Sequence, residues 1–338
     1  MIGGIRVKKL MNHPSDFVRE SLEGILAAYP DFYTAKEGLP QALFLKNAPK
    51  KGKVAIVTGG GYGHLPTFLG YVGDGLCDGV AVGNVFTSPS SACILEVSRA
   101  VNGGAGILYL FGNYTGDSMN FEMARDMMEM DDIPVKILTA SDDMASAPRD
   151  NWKDRRGIAG IALVYKIAGS AAAAMLSLEE VARITEKAME NTSTFGFSFS
   201  SCTLPDVGRE IFEIGDNEME WGMGIHGEPG VNCGPVESSA VIADKITQAL
   251  IEDLSLVRGD EVAVLVNSLG ATSREELYIF YRDAQVALLE KGIHVDRAFV
   301  GEYVTSLEMA GASLTLMKLD EELKRHLNTP ANSPFIHF

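Results

Sequence analysis

An apolar run at residues 53–57 (Lys53-Val54-Ala55-Ile56-Val57) leads without interruption into Thr58-Gly59-Gly60-Gly61, and strand-like runs return at 79–85, 106–111 and 135–139. Helical stretches at 90–101 and 117–130 separate the later runs. Parallel strands need crossovers of about a dozen residues, so this alternation restricts the first part of the chain to an α/β fold with a largely parallel sheet covered by helices. Upstream, Ser15 is placed to cap a helix over 16–29 with Phe17, Leu22, Ile25 and Leu26 on one face.

Downstream the pattern predicts helices over 158–175 and 178–191, the second opened by a capping box of Ser177 and Glu180. Extended segments follow at 195–204 and 211–225, then a helix over 238–254, a strand over 261–267, a helix over 274–291, and strands over 295–304 and 312–317. The register changes near Thr192. With 338 residues the chain is long for one core. The expected division is therefore an N-terminal α/β domain at 1–191 packed against a smaller C-terminal α/β domain at 192–338.

Composition narrows the function. Apolar residues make up 46% and charged residues 22%, ordinary for a folded soluble protein. Acidic residues outnumber basic ones 45 to 29, and a net charge of −16 repels polyphosphate, so direct nucleic-acid or anionic-membrane binding is not expected. Cys77, Cys93, Cys202 and Cys233 never fall in a C-x-x-C pair, which argues against a zinc ribbon or disulfide framework and fits a reducing cytoplasm. The apolar stretch 157–175 is interrupted by Lys166, Gly169 and Ser170 and reads as a buried helix; neither a leader nor a membrane span is expected.

Three segments could carry chemistry. Gly59 to Gly61, with Tyr62, Gly63 and His64, follow a parallel strand, where open α/β sheets take their ligands. The pattern is neither G-x-x-x-x-G-K-[ST] nor G-x-G-x-x-G, so a nucleotide fingerprint is lacking. A tight strand-to-helix turn would account for the glycines but not for the imidazole. Gly112-Asn113-Tyr114-Thr115-Gly116-Asp117 follows the next strand, and Asp117 is either the N-cap of the following helix or a general base in the same crevice as His64. In Gly222-Met223-Gly224-Ile225-His226-Gly227-Glu228-Pro229-Gly230, His226 is either a surface turn residue or a base or nucleophile, and the lack of nearby ligands disfavours a metal. His13, His294, His326 and His337 read as solvated. Asp142-Asp143 is a helix cap or a site wall, and Asp154-Arg155-Arg156-Gly157 an interdomain or partner contact.

Together these motifs resemble the substrate-binding subunit of dihydroxyacetone kinase. The likeness rests on Gly-Gly-Gly-Tyr-Gly-His at 59–64, Phe86-Thr87-Ser88-Pro89, Asn113 to Asp117, Asn120-Phe121-Glu122, Arg155-Arg156-Gly157, Ile225 to Gly230, Asn267 to Thr272 and Thr305-Ser306-Leu307, collinear over most of the chain. The resemblance implies that His226 adds through Nε2 to the carbonyl carbon of a short ketose as a hemiaminal. It implies that Asp117 takes the proton of the reacting hydroxyl, that His64 orients this hydroxyl or shares the base role, and that Gly61, Tyr62, Gly63 and the Gly112 position line the substrate. No cofactor is expected on this chain; ADP or ATP with Mg would sit on a partner nucleotide-binding kinase subunit. A homodimer in the cytoplasm is also implied.

Departures from the family pattern bear on specificity. The family usually has Ser at Tyr62, Glu at Leu65, Glu at Asn84 and Lys at Gly112. The expectation is a pocket widened at Gly112, with the Tyr62 hydroxyl replacing the lost cationic contact. A four-carbon ketose such as erythrulose would suit that shape. A dihydroxyacetone-sensing coactivator of a transcriptional regulator is the alternative, though a sensor needs the histidine and not the base.

Overall fold

The computed structural model describes residues 8–338, so residues 1–7 of the expected first domain lie outside the described part. Helix α1 (Phe17–Ala28) is followed by the hairpin β1 (Tyr33–Lys36) and β2 (Leu39–Leu45). Next come β3 (Ala55–Tyr62), β4 (Gly79–Val85), α2 (Ser91–Val101), β5 (Ile107–Gly112), α3 (Thr115–Met130) and β6 (Val135–Ala140). These strands form a six-stranded sheet ordered β1-β2-β4-β3-β5-β6. Strands β4, β3, β5 and β6 run parallel, and the hairpin is antiparallel at one edge. The hairpin escapes sequence reading because its strands are only partly buried and mix polar with apolar residues.

Helices α4 (Ile161–Ala173) and α5 (Leu178–Glu190) lead into β7 (Thr192–Ser198), β8 (Glu218–Trp221) and β9 (Asn232–Pro235). The chain continues through α6 (Ser239–Asp253), β10 (Glu261–Ser268), α7 (Arg274–Glu290), β11 (His294–Gly301), β12 (Gly311–Leu319) and α8 (Glu321–Leu327). The second sheet also has six strands, ordered β11-β10-β12-β7-β8-β9. Here only β10 and β11 pair in parallel. Of the extended stretch expected at 211–225, only β8 is strand. Ser177 caps α5, while the full reciprocal capping box forms at Ser273 and Glu276 on α7.

Period-two alternation places successive side chains of a strand on opposite faces. On β3, Ile56 joins the cluster with α4 and α5, whereas Ala55 and Val57 pack under α2 and α3. On β10, Ala263 and Leu265 face the same central cluster, whereas Val262, Val264 and Val266 face α6 and α7. The layers are thus α2/α3, first sheet, α4/α5, second sheet, α6/α7. One apolar core crosses the junction at residue 192. The segment after β12 also returns to the first half: Ser333 donates to the Gly70 carbonyl at 2.6 Å, and Asn332 and Asp74 exchange backbone hydrogen bonds at 2.9 Å. His326, expected to be solvated, is buried, because α8 packs on α4 and its ring meets the Ser170 hydroxyl at 3.0 Å. No helix of the described residues is long and apolar enough to cross a membrane.

The basic cluster ties the halves together within the chain. Arg155 is buried and binds Asp253 at the end of α6 with both guanidinium nitrogens, at 2.8 and 2.6 Å, and the Ala147 carbonyl at 2.8 Å. Asp142 accepts from the backbone N–H groups of Ile158 and Gly160 at 2.9 and 2.7 Å, ordering the entry to α4. Arg155→Met would leave the Asp253 carboxylate with only the Ser193 hydroxyl at 2.8 Å and the more distant Arg149 guanidinium at 4.0 Å, and loss of one partner of a buried pair costs up to about 3–5 kcal/mol. Urea unfolding is expected to show a drop of this size; a change under about 1 kcal/mol would show that the pair is not a tether.

Candidate active site

The triglycine segment belongs to β3 itself, not to a turn after it, because β3 continues to Tyr62 and still pairs with β4 there, across a register shift between Gly60 and Tyr62. Its glycines are required by neighbouring protein. A side chain at Gly60 would run into the Phe68 ring, and one at Gly61 would come within 2.7–2.9 Å of the Phe86–Thr87 backbone. Gly63 has φ +104°, open to glycine at little steric expense, and lets the Phe86 ring and Leu307 close on the strand end. Gly61, Tyr62 and His64 line a narrow cavity with Leu65 and Phe68.

His64 is 1% exposed. Its ring stacks on Phe86 with centroids 4.8 Å apart, and Nδ1 lies 2.7 Å from the Thr305 carbonyl oxygen. A carbonyl only accepts, so Nδ1 carries the proton and Nε2 presents its lone pair. Nε2 is buried without a protein hydrogen bond among the described residues. Burial, followed by the nearby His226, depresses the His64 pKa to about 3, so the ring stays neutral at physiological pH.

His226 stands edge-on to His64 at 4.7 Å, to Tyr114 at 4.7 Å and to Phe86 at 5.3 Å between ring centroids. Its Nδ1 is 2.8 Å from Glu228 Oε1, and its backbone N–H donates to Glu228 Oε2. The fold-back depends on Gly227, whose φ of +85° reverses the chain between the two residues. Burial alone would raise the Glu228 pKa, but the hydrogen bonds from His226 outweigh it and hold the carboxyl at about 2. An ionised carboxylate at Nδ1 keeps the proton there and leaves Nε2 as the free lone pair. The motif at 222–230 contains Glu228 without marking its role, for which the signal is the His-Gly-Glu spacing.

Asp117 is not the N-cap of α3. Tyr114 holds that position, and Asp117 sits inside the first turn, 5% exposed. Its Oδ1 is buried without a protein partner among the described residues. Burial raises its pKa to about 6, against the pull of the Ser88 hydroxyl and His226. A carboxylate with an open oxygen and raised proton affinity is suited to accept a proton near neutral pH.

The expected compensation by Tyr62 is not what the structure holds. The Tyr62 hydroxyl lies 2.5 Å from Ser21 Oγ on α1, and its ring packs on Phe17. Nor is space vacated at Gly112: a side chain there would meet the Tyr114 ring at 3.1 Å, and the Tyr114 hydroxyl is fixed to the Gly157 carbonyl at 3.0 Å. Leu65 contributes its carbonyl to the Thr305 hydroxyl at 3.0 Å, and Asn84 is exposed. Of the expected residues, His64, Asp117 and His226 come together. Phe86, Tyr114, Glu228 and Thr305 are the partners that the motifs alone did not assign. Among the described residues, no group of three or more His, Cys, Asp and Glu is placed to hold a metal ion.

Residues 23–335 match the family model of the Dak1 domain. The chain belongs to the Dak1 family. A relative from Listeria innocua, the dihydroxyacetone-binding subunit DhaK of PTS-dependent dihydroxyacetone kinase 2, is 43% identical over 97% of this chain and 99% of its own length. An L-erythrulose kinase of Pectobacterium atrosepticum is 41% identical over 96% of this chain, which spans only 55% of that longer protein. Among solved structures, the dihydroxyacetone kinase of C. freundii aligns with a TM-score of 0.88 at 33% identity, over 97% of this chain and 60% of its own. The dihydroxyacetone kinase operon co-activator DhaQ aligns with a TM-score of 0.86 at 31% identity, over 92% of this chain and 96% of its own. The two-sheet α/β architecture is thus that of the Dak1 proteins.

The raised pKa of Asp117 has a stability signature. The native state holds this proton more tightly than the unfolded chain, where the ordinary value is 3.8. Its stabilising contribution is complete below that value and is lost as the pH rises through about 6. Asp117→Asn cannot ionise and is expected to exceed the parent in stability at pH 8 by roughly 1–3 kcal/mol, an advantage that vanishes at pH 4. Denaturant unfolding at both pH values measures this, and an equal difference at both would refute the raised affinity.

Proposed function

We propose that this chain is the substrate-binding subunit of a ketose kinase, holding a three- or four-carbon ketose such as dihydroxyacetone or erythrulose as a hemiaminal on His226. The observation that carries the reading is the pair of fixed tautomers. Glu228 holds the proton on Nδ1 of His226, and Thr305 holds that of His64, so both Nε2 lone pairs are available, and Asp117, near enough to His226 to feel its charge, presents an open oxygen.

In the covalent step the Nε2 lone pair of His226 forms the C–N bond to the carbonyl carbon. The carbonyl π pair moves to oxygen, which takes up a proton from solvent. The positive charge left on the imidazole is balanced by Glu228 across the Nδ1–H bond. A covalent bond to a carbonyl selects ketoses over polyols, which hydrogen bonds to hydroxyls alone discriminate poorly.

His64 presents its Nε2 lone pair toward the reacting hydroxyl as a second acceptor for its single proton and so shares the base role. Asp117 takes that hydroxyl's proton as the oxygen bonds to phosphorus and the donor's bridging oxygen departs with its electron pair. Phosphoryl transfer depends on positioning and charge neutralisation. This acidic chain supplies the first, and the second is assigned to a partner subunit bearing a nucleotide and Mg²⁺; the DhaK relative is named as one subunit of its kinase, and the C. freundii dihydroxyacetone kinase has been solved in complex with AMP-PNP and Mg²⁺. Asp117 favours a kinase over a coactivator, since sensing requires no base.

Intact-mass measurement with dihydroxyacetone or erythrulose is expected to show an adduct that His226→Ala abolishes. Asp117→Asn should retain the adduct and lose phosphoryl transfer by about 10² or more with the nucleotide-bearing partner present. An adduct that survives His226→Ala would refute the covalent role, and equal transfer by Asp117→Asn would refute the base.

A further inference from the structure

The loop carrying His226 is attached at one point to a cation from the other half of the molecule. Arg156, on the segment after β6, sends Nε to Asp143 Oδ2 at 2.8 Å and Nη2 to the same oxygen at 2.7 Å, while Nη2 also donates to the Gly222 carbonyl at 3.1 Å. Its Nη1 lies 2.9 Å from where the Cβ of a side chain at Gly224 would stand, and the Glu228 carboxylate presses on that same point. The arginine therefore spans Asp143, the start of the histidine loop and the flank of the carboxylate that orients His226. Asp143 is itself fixed, fully buried and accepting from the Ala145 N–H at 3.1 Å, and its backbone N–H donates to the Arg156 carbonyl at 3.0 Å.

We infer that Arg156 is a positioning residue for the covalent step: braced on Asp143, it holds loop 222–230 so that Glu228 stays on Nδ1 of His226 and Nε2 stays aimed at the carbonyl. The inference deepens the proposed function and rests on it for its consequence in ketose binding. A guanidinium suits this task because its rigid planar fork serves several directions at once. An ammonium is a single point that must choose between Asp143 and Gly222. The absence of a side chain at Gly224 belongs to the same device, since a methyl group there would press on both the Arg156 guanidinium and the Glu228 carboxylate.

The test uses the full chain with ¹⁵N-labelled histidine and the variants Arg156→Met, Arg156→Lys and Gly224→Ala. In the parent, the ¹⁵N shifts of His226 and His64 are both expected to report protonated Nδ1. In Arg156→Met, His226 should become a mixture of tautomers while His64, held by Thr305, keeps its signature; general loosening would move both. Adduct formation with dihydroxyacetone should fall at least about tenfold. Arg156→Lys should lie between the two, and Gly224→Ala, which retains the charge, should reproduce the loss even if Arg156→Met folds poorly.

An unchanged His226 tautomer in Arg156→Met and Gly224→Ala, or parallel changes at His64, would overturn the inference. If the parent itself forms no adduct with any short ketose, the proposed function fails, and the tautomer measurement still decides the role of Arg156.

Discussion

The hydrogen bond from the His64 ring to the Thr305 carbonyl spans 241 residues of sequence and joins the two sheets at the place where chemistry is proposed. Around it the segment after β11 docks on the end of β3: Leu307 N–H donates to the Gly63 carbonyl at 2.8 Å, and the Thr305 hydroxyl to the Leu65 carbonyl at 3.0 Å. The Ser306 hydroxyl donates at 2.5 Å to the Ile225 carbonyl, beside His226. The joint that clamps the halves thus also aligns the imidazoles. Displacing one sheet by an ångström would disturb the proton placement on His64, the docking of Leu307 and the seat of the histidine loop together.

Electrostatics at the site follow from separation by burial. His64 and Asp117 are both buried, and burial favours the neutral form of each, which pushes an imidazole down and a carboxyl up. Glu228 escapes that rule because the His226 ring and the His226 backbone N–H both donate hydrogen bonds to it and so stabilise its ionised form. Two carboxylates in one site therefore differ widely in proton affinity, one permanently ionised and orienting, the other close to neutrality and able to exchange a proton.

Much of this was legible in the chain. The parallel strands β3 to β6 were marked by apolar runs, and His64, Asp117 and His226 stood out because imidazole and carboxyl groups in glycine-rich loops have little packing purpose. What escaped shares a physical cause. The β1–β2 hairpin lies at one side of the first sheet and β9 at the edge of the second, and their mixed polarity leaves no periodic signal to distinguish them from loops. Glycines 59–61 look like a turn, yet they form a strand crowded by Phe68 and Phe86, long-range approaches that no local window contains. Tyr62 and Gly112 misled for the same reason: their surroundings, Ser21 and Tyr114, are set by tertiary packing. His326 looked solvated because the helix that buries it is packed by residues 150 positions earlier or more.

The return of the segment after β12 to the first half has a consequence for synthesis. Gly70, Asp74 and α4 receive partners from residues 321–338, so an emerging chain cannot complete its first-half packing when residue 191 has left the ribosome. Its flank stays open through the translation of both halves. The native packing of the first half is therefore complete only when the last residues have been made, and until then part of its apolar flank is open to a chaperone.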